Sequence, residues 1–187
     1  MIINSGSLKN SKITIPKGIS GLRPTLAMIR ESVFNILSPF TEGCIFHDIF
    51  CGSGIIGMQA LSCGAQRAVF VDKNPVLIKN IHRHIYRFKL QDRAELLTVD
   101  ALRYLNSINM MHLGAFSLAY LDPPYGFDRW KDIFQELDRE GMPMDMVVIE
   151  SSRMLKDYID NLNFFDIYKY KEYSEKRLYY LIKRGYE

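Results

Sequence analysis

The chain has 187 residues with 48% apolar side chains, a size and composition that fit one folded domain with a sizeable core and exclude wholesale disorder. No apolar run reaches the roughly 18 residues of a membrane span, MIINSGSLKNSK has no signal-like apolar region, and three cysteines without a CxxC pair exclude a disulfide framework. The net charge of +3 is unevenly spread: Lys9, Lys12, Lys17, Arg23 and Arg30 face only Glu31 within residues 1–40, so the rest of the chain is nearly neutral.

Residues 2–15 alternate loosely, with Gly6 and Asn10 as turn residues, and read as a short hairpin ending at Pro16. KGISGLRP (17–24) reads as a glycine-punctuated linker, and Thr25 as the cap of a helix over 26–38 with Leu26, Ile29, Val33, Phe34 and Leu37 on one face. A strand–helix alternation follows. CIFHDIF (44–50) is a buried strand, SGIIGMQALSCGA a helix stopped by Gly64, and RAVFVD (67–72) a second strand. Asn74 and Pro75 supply an N-cap and first-turn proline for a helix whose Ile78, Ile81, Ile85 and Phe88 recur at helical spacing. Its six basic residues over 73–93 read as a solvated face. ELLTV (95–99), SLAYL (117–121) and MVVIE (146–150) are the next strands, with a helix bearing Ile133, Phe134 and Leu137 before the last.

This alternation implies an α/β fold with a doubly wound, mostly parallel sheet. At the end, residues 164–170 and 177–183 are joined by a short polar turn and should pair as an antiparallel hairpin at the sheet edge. The domain organisation expected is an N-terminal hairpin and linker over 1–24, read as a basic arm for phosphate contact, and a main domain over 25–187.

Gly52-Ser-Gly54-Ile-Ile-Gly57 follows the first strand of the alternation and opens a helix, the context in which G-x-G-x-x-G has meaning. Asp72 ends the next strand, 20 residues after Gly52, where an acid can grip ribose hydroxyls. Together they point to a nucleoside-containing cofactor: NAD, FAD and S-adenosylmethionine all present a ribose there. Asp48 favours the last, because a carboxylate suits a cationic ammonium and repels a pyrophosphate; the lesser alternative is that it simply caps the loop by accepting backbone N–H bonds. Asp100, with Ala101 after it, lies where an adenine amino group would fall or where a helix N-cap belongs.

Asp122-Pro123-Pro124-Tyr125 follows the fourth strand directly. Two prolines stiffen the loop and offer carbonyl acceptors. A carboxylate beside such a carbonyl can hold both hydrogens of an exocyclic amine and aim its lone pair, and Tyr125 offers a face on which a base can stack. The four histidines are too scattered for a metal site, and Cys51 reads as a packing residue.

These motifs resemble the class I methyltransferases that act on amino groups. Gly21-Leu-Arg23-Pro24-Thr25, Arg30-Glu31-Ser32-Val33-Phe34-Asn35-Ile36-Leu37 and DIFCGSGIIGMQALSCGA resemble, more narrowly, the bacterial small-subunit rRNA guanine-N2 methyltransferases of the RsmD family. The resemblance implies a Rossmann-like seven-stranded fold, S-adenosylmethionine as donor, and a guanine of 16S rRNA, free or in a small-subunit assembly intermediate, as acceptor. It further implies a cytoplasmic monomer that needs neither metal nor membrane. Asp48, Phe50, Gly52, Ser53, Gly54, Asp72, Lys73, Asp100 and Ala101 are then expected at the cofactor, Asp122 to Tyr125 at the acceptor amine, and Lys9, Lys12, Arg23 and Arg30 on RNA. The alternative within the same chemistry is a DNA adenine-N6 or other amino methyltransferase. The family's late Tyr-Gly-x-x-x-Leu reads Tyr173-Ser174-Glu175-Lys176-Arg177-Leu178 here, a departure in the last turn.

Overall fold

The computed structural model describes residues 1–16, 27–108 and 115–186. The linker 17–24, with Arg23, and the Thr25 cap lie outside the described residues. Helix α1 (Ala27–Thr41) precedes the alternation β1 (Ile45–Ile49), α2 (Ile55–Ser62), β2 (Arg67–Asp72), α3 (Pro75–Arg87), β3 (Ala94–Thr98) and α4 (Ala101–Ser107). Strand β4 (Ser117–Leu121), α5 (Trp130–Leu137), β5 (Met146–Ser151), the single turn α6 (Lys156–Ile159), β6 (Phe165–Tyr173) and β7 (Lys176–Lys183) complete it.

The sheet order is β3-β2-β1-β4-β5-β7-β6. Strands β1 to β5 run parallel, whereas β7 pairs antiparallel with both β5 and β6. The chain winds outward from β1 to β3 and then returns to lay β4 on the other side of β1. The crevice at that reversal, outside the carboxyl ends of β1 and β4, is where α/β sheets bind ligands.

Alternation along each strand feeds one core on each face. In β1, Phe46 joins the core formed with α1, α2 and α3, while Ile45 and Ile49 join the core formed with α4, α5 and α6. Helix α1 runs three residues beyond the expected end, through Pro39, because Phe40 is held by tertiary contacts: its ring stacks 5.4 Å from Phe116 and meets Tyr168 edge-on at 5.5 Å. Arg93 donates to the carbonyls of Leu61 (3.0 Å) and Ala65, so a residue just before β3 closes the open end of α2.

Residues 1–16 depart from the expected arm. They hold one antiparallel bridge, Ile2 with Lys12, and turn through Gly6 (φ 79°) and Asn10 (φ 70°). Ile3 and Ile13 are fully buried in the core, each contributing about 1.5–3 kcal/mol of burial. Leu8 N–H donates to Ser62 Oγ (2.9 Å) and Asn80 Nδ2 donates to the Thr14 carbonyl (2.8 Å). The segment is therefore a strap laid across α2 and α3. Two buried isoleucines hold it there, and the polar side of α3 is partly engaged in that packing instead of being wholly solvated.

Candidate active site at the carboxyl ends of the strands

The turn from β1 into α2 is built by three left-handed residues: Phe50 (φ 61°), Gly52 (φ 53°) and Gly54 (φ 75°). A side chain at Gly54 would start 2.8 Å from Ile81 of α3, and one at Gly57 would start 2.4 Å from the Phe70 ring of β2. The first two glycines thus serve the turn, while the third lets α2 lie directly on the sheet. Gly54 is the N-cap of α2 and has no side chain to cap with. Asp48 fills that role from β1, accepting from Gly57 N–H at 2.9 Å. Burial holds the Asp48 carboxyl well above the usual carboxylate range, against the Gly57 hydrogen bond, and nearby Asp122 and Asp72 push it further up.

Asp72 ends β2 and binds two loops together. Its carboxylate accepts from Gly52 N–H (3.0 Å) and Asn74 N–H (2.8 Å). Asn74 in turn caps α3 through Val76 N–H (2.9 Å). Asp100 is the N-cap of α4, accepting from Leu102 N–H at 3.0 Å. After β4, the Pro124 carbonyl accepts from Phe127 N–H (3.1 Å), whereas no N–H among the described residues donates to the Pro123 carbonyl. The two prolines therefore differ: Pro124 closes the turn and Pro123 offers its oxygen. Phe127 packs edge-on against Phe50 at 5.4 Å, so the tetrad loop leans on the glycine loop.

These groups enclose one cleft of about 810 Å³. Asp48, Phe50, Gly52, Ser53, Asp72, Lys73, Asp100 and Ala101 line it, as do all four residues from Asp122 to Tyr125; Gly54 lies beneath the loop and does not. Tyr125 is 69% exposed, on the outer side of the cleft. Cys51 also lines it, but burial raises its thiol well above the ordinary value and Asp48 and Asp72 add to that, leaving a neutral packing group.

Of the basic residues expected on RNA, Lys9, Lys12 and Arg30 do not line this cleft, and Arg23 lies outside the described residues. Lys9 and Lys12 are exposed on the strap. Arg30 is a correction: it is buried, and its guanidinium donates to the Ile2 carbonyl (2.9 Å), fastening the strap to α1. Buried beneath the strap, its guanidinium is poorly placed to meet a phosphate at the surface.

Three groups of the cleft wall had no signal in the local sequence. Glu150 of β5 is buried, Tyr120 of β4 donates its hydroxyl to it, and Lys176 of β7 donates to its other oxygen while lying 3.8 Å from Asp122. Their common feature is strand order, which sequence reading did not supply. No group of His, Cys, Asp and Glu among the described residues could hold a metal, and no helix among them is long and apolar enough to cross a membrane.

A seven-stranded sheet with this order, a glycine turn after β1 and the acid-lined crevice beside it define the class I methyltransferase fold. The structure of the Escherichia coli protein yhhF superposes with a TM-score of 0.82 at 19% identity, over 100% of this chain and 99% of that one. A Streptococcus pyogenes structure superposes at 0.71 with 28% identity, over 84% of this chain and 97% of that one. The family model described as Conserved hypothetical protein 95 matches residues 1–182, and the chain belongs to that family, the RsmD-type methyltransferases. The Bacillus subtilis protein YlbH is 33% identical over 147 residues, 75% of this chain and 79% of that one. Ribosomal RNA small subunit methyltransferase D of Escherichia coli K12 is 26% identical over 147 residues, 79% of this chain and 71% of that one.

Proposed function

We propose that this chain methylates the exocyclic N2 amine of a guanine in small-subunit rRNA, acting as a monomer with S-adenosylmethionine as donor. The observation that carries the reading is the convergence of the Asp122 carboxylate and the Pro123 carbonyl with the glycine loop in one cleft. The names of the curated relatives, ribosomal RNA small subunit methyltransferase D among them, support RNA as the acceptor.

The residues fit S-adenosylmethionine. Asp72 is already oriented by two backbone N–H groups at the end of β2, where a ribose can meet it, and Phe50, Gly52, Ser53, Lys73, Asp100 and Ala101 complete the wall. Asp48, Asp72 and Asp122 line one cleft, and Asp122 and Asp72 both push the Asp48 carboxyl up, so the cleft favours a cationic ligand over the pyrophosphate of a dinucleotide. When bound, S-adenosylmethionine supplies a methyl group on a positively charged sulfur.

The protein's part is positioning. An aromatic amine has its lone pair delocalised into the ring and is a weak nucleophile. Asp122 and Pro123 would each accept one amine hydrogen, pulling the nitrogen towards a tetrahedral shape with its lone pair facing the cofactor side. Tyr125, exposed at the cleft, would stack the flipped base. No strong base is required, since the nitrogen loses its proton readily once it carries four bonds. Lys9, Lys12 and Arg23 remain the arm residues proposed to meet RNA phosphates.

The test is transfer of labelled methyl groups to small-subunit RNA and assembly intermediates, with the modified base mapped. Label on guanine N2 supports the reading, and label on adenine N6 of DNA would replace it. Asp122→Ala should lower the transfer rate by about 10²–10³-fold, with binding of S-adenosylhomocysteine kept.

A further inference from the structure

Lys176 opens β7 at the tip of the C-terminal hairpin, paired with Tyr173 across the turn. It stands where the chain departs from the family's usual glycine-containing turn. Its ammonium donates to Glu150 and lies 3.8 Å from Asp122 Oδ1. Glu150 is buried, and its second oxygen accepts from the hydroxyl of Tyr120, itself fully buried in β4. A chain of polar contacts thus runs from the sheet core, through Tyr120, Glu150 and Lys176, to the carboxylate of the tetrad.

We propose that Lys176 is a positioning residue that keeps Asp122 ionised and aimed at the acceptor amine. The inference rests on the assignment of Asp122 as the acceptor carboxylate. Asp122 shares the cleft with the Glu150 carboxylate of β5, held on the same ammonium, with Asp72 of β2, with Asp48 of β1, whose carboxyl burial pushes towards its neutral form, and with the Tyr120 phenol of β4. Lys73, Arg129 and Arg153 line the same cleft, but Arg129 is paired with Asp132 at 2.9 Å. Like charges in a shielded cleft are relieved most cheaply by a proton on one carboxyl. A protonated Asp122 would donate where it must accept, and the amine would lose one of its two acceptors. The Lys176 charge removes that pressure, and buried Glu150 fixes where the ammonium sits.

A cation that only fastens the hairpin to β5 would make the same contact with Glu150, so the decisive readout is the titration of Asp122 itself. The carboxyl of Asp122 is followed by carbon-13 NMR against pH in the cofactor-free full chain. In Lys176→Met the midpoint should rise by about 1–3 pH units, while Lys176→Arg should leave it near the wild-type value. Glu150→Gln, which keeps the cation, should leave it at or below the wild-type value. Because Lys176→Met strands a buried carboxylate, the double variant Glu150→Gln/Lys176→Met serves as the second carrier, and its midpoint should lie above that of Glu150→Gln.

In methyl transfer, Lys176→Met should lower kcat about 10-fold at neutral pH, recover towards alkaline pH, and leave KM for the donor unchanged. An Asp122 midpoint unchanged in Lys176→Met, and no higher in the double variant than in Glu150→Gln, overturns the proposal, whatever the acceptor. A raised midpoint in a protein whose wild type methylates no rRNA supports the charge relation and overturns the rRNA reading instead.

Discussion

Asp48, Asp72 and Asp122 reach the cleft because each lies in, ends or directly follows a parallel strand, so the position in the strand fixes the position in the site. Lys176 reaches the same cleft by another route. It sits at the start of an antiparallel strand, and only the insertion of β7 between β5 and β6 brings it against Glu150 and Asp122. In the parallel half, local pattern and site chemistry coincide. In the hairpin half, the contribution depends on which strand becomes the neighbour of β5. A carboxyl-terminal tip of a parallel strand is a standard place for a functional group; a hairpin turn acquires one only through pairing.

Substitutions can break or sharpen this contrast. The largest effect on stability is expected from Lys176→Met, which leaves the buried Glu150 carboxylate without its cation and should cost about 3–5 kcal/mol in urea unfolding. The double variant Glu150→Gln/Lys176→Met should recover most of that loss; if it does not, the hairpin is held by other contacts. In the parallel half, Gly57→Val sets a side chain against the Phe70 ring and should cost about 1–3 kcal/mol in the same measurement. The smallest effect belongs to the strap. Lys9→Ala/Lys12→Ala should leave stability within about 0.5 kcal/mol, because both lysines are exposed. If the strap meets RNA phosphates, the pair should reduce the slope of log K against log salt by about 1.4, roughly 0.7 for each single-strand contact. An unchanged slope assigns the RNA grip elsewhere.

The parallel half was legible because period-two apolar runs and glycine or asparagine punctuation encode its elements locally. Strands β2 (Arg67–Asp72) and β4 (Ser117–Leu121) lie where the pattern sets them, and Asn74 caps α3 as its residue type predicts. The misses share a cause. The apolar pattern carries the first helix to residue 38, yet α1 continues through Pro39 to Thr41 because Phe40 packs on two distant aromatic rings. A basic N-terminus reads as a hairpin arm for phosphate contact, yet Ile3 and Ile13 bury its first residues in the core, and Arg30 is buried against them. Glu150 reads only as the last residue of the strand MVVIE, and nothing nearby in sequence announces Tyr120 or Lys176 as its partners.

By itself, the sequence determined the class of the fold, the glycine turn with Asp72 and the Asp122-Pro123-Pro124-Tyr125 tetrad, since each depends on backbone conformations and spacings written within a few residues. The tertiary structure alone decided that the N-terminal residues are a strap, that Arg30 is buried, and that Lys176 stands between Glu150 and Asp122. Those outcomes depend on which surfaces become neighbours, and burial then sets what a charge must do: a cation near buried acids has to pair with them, wherever along the chain it lies.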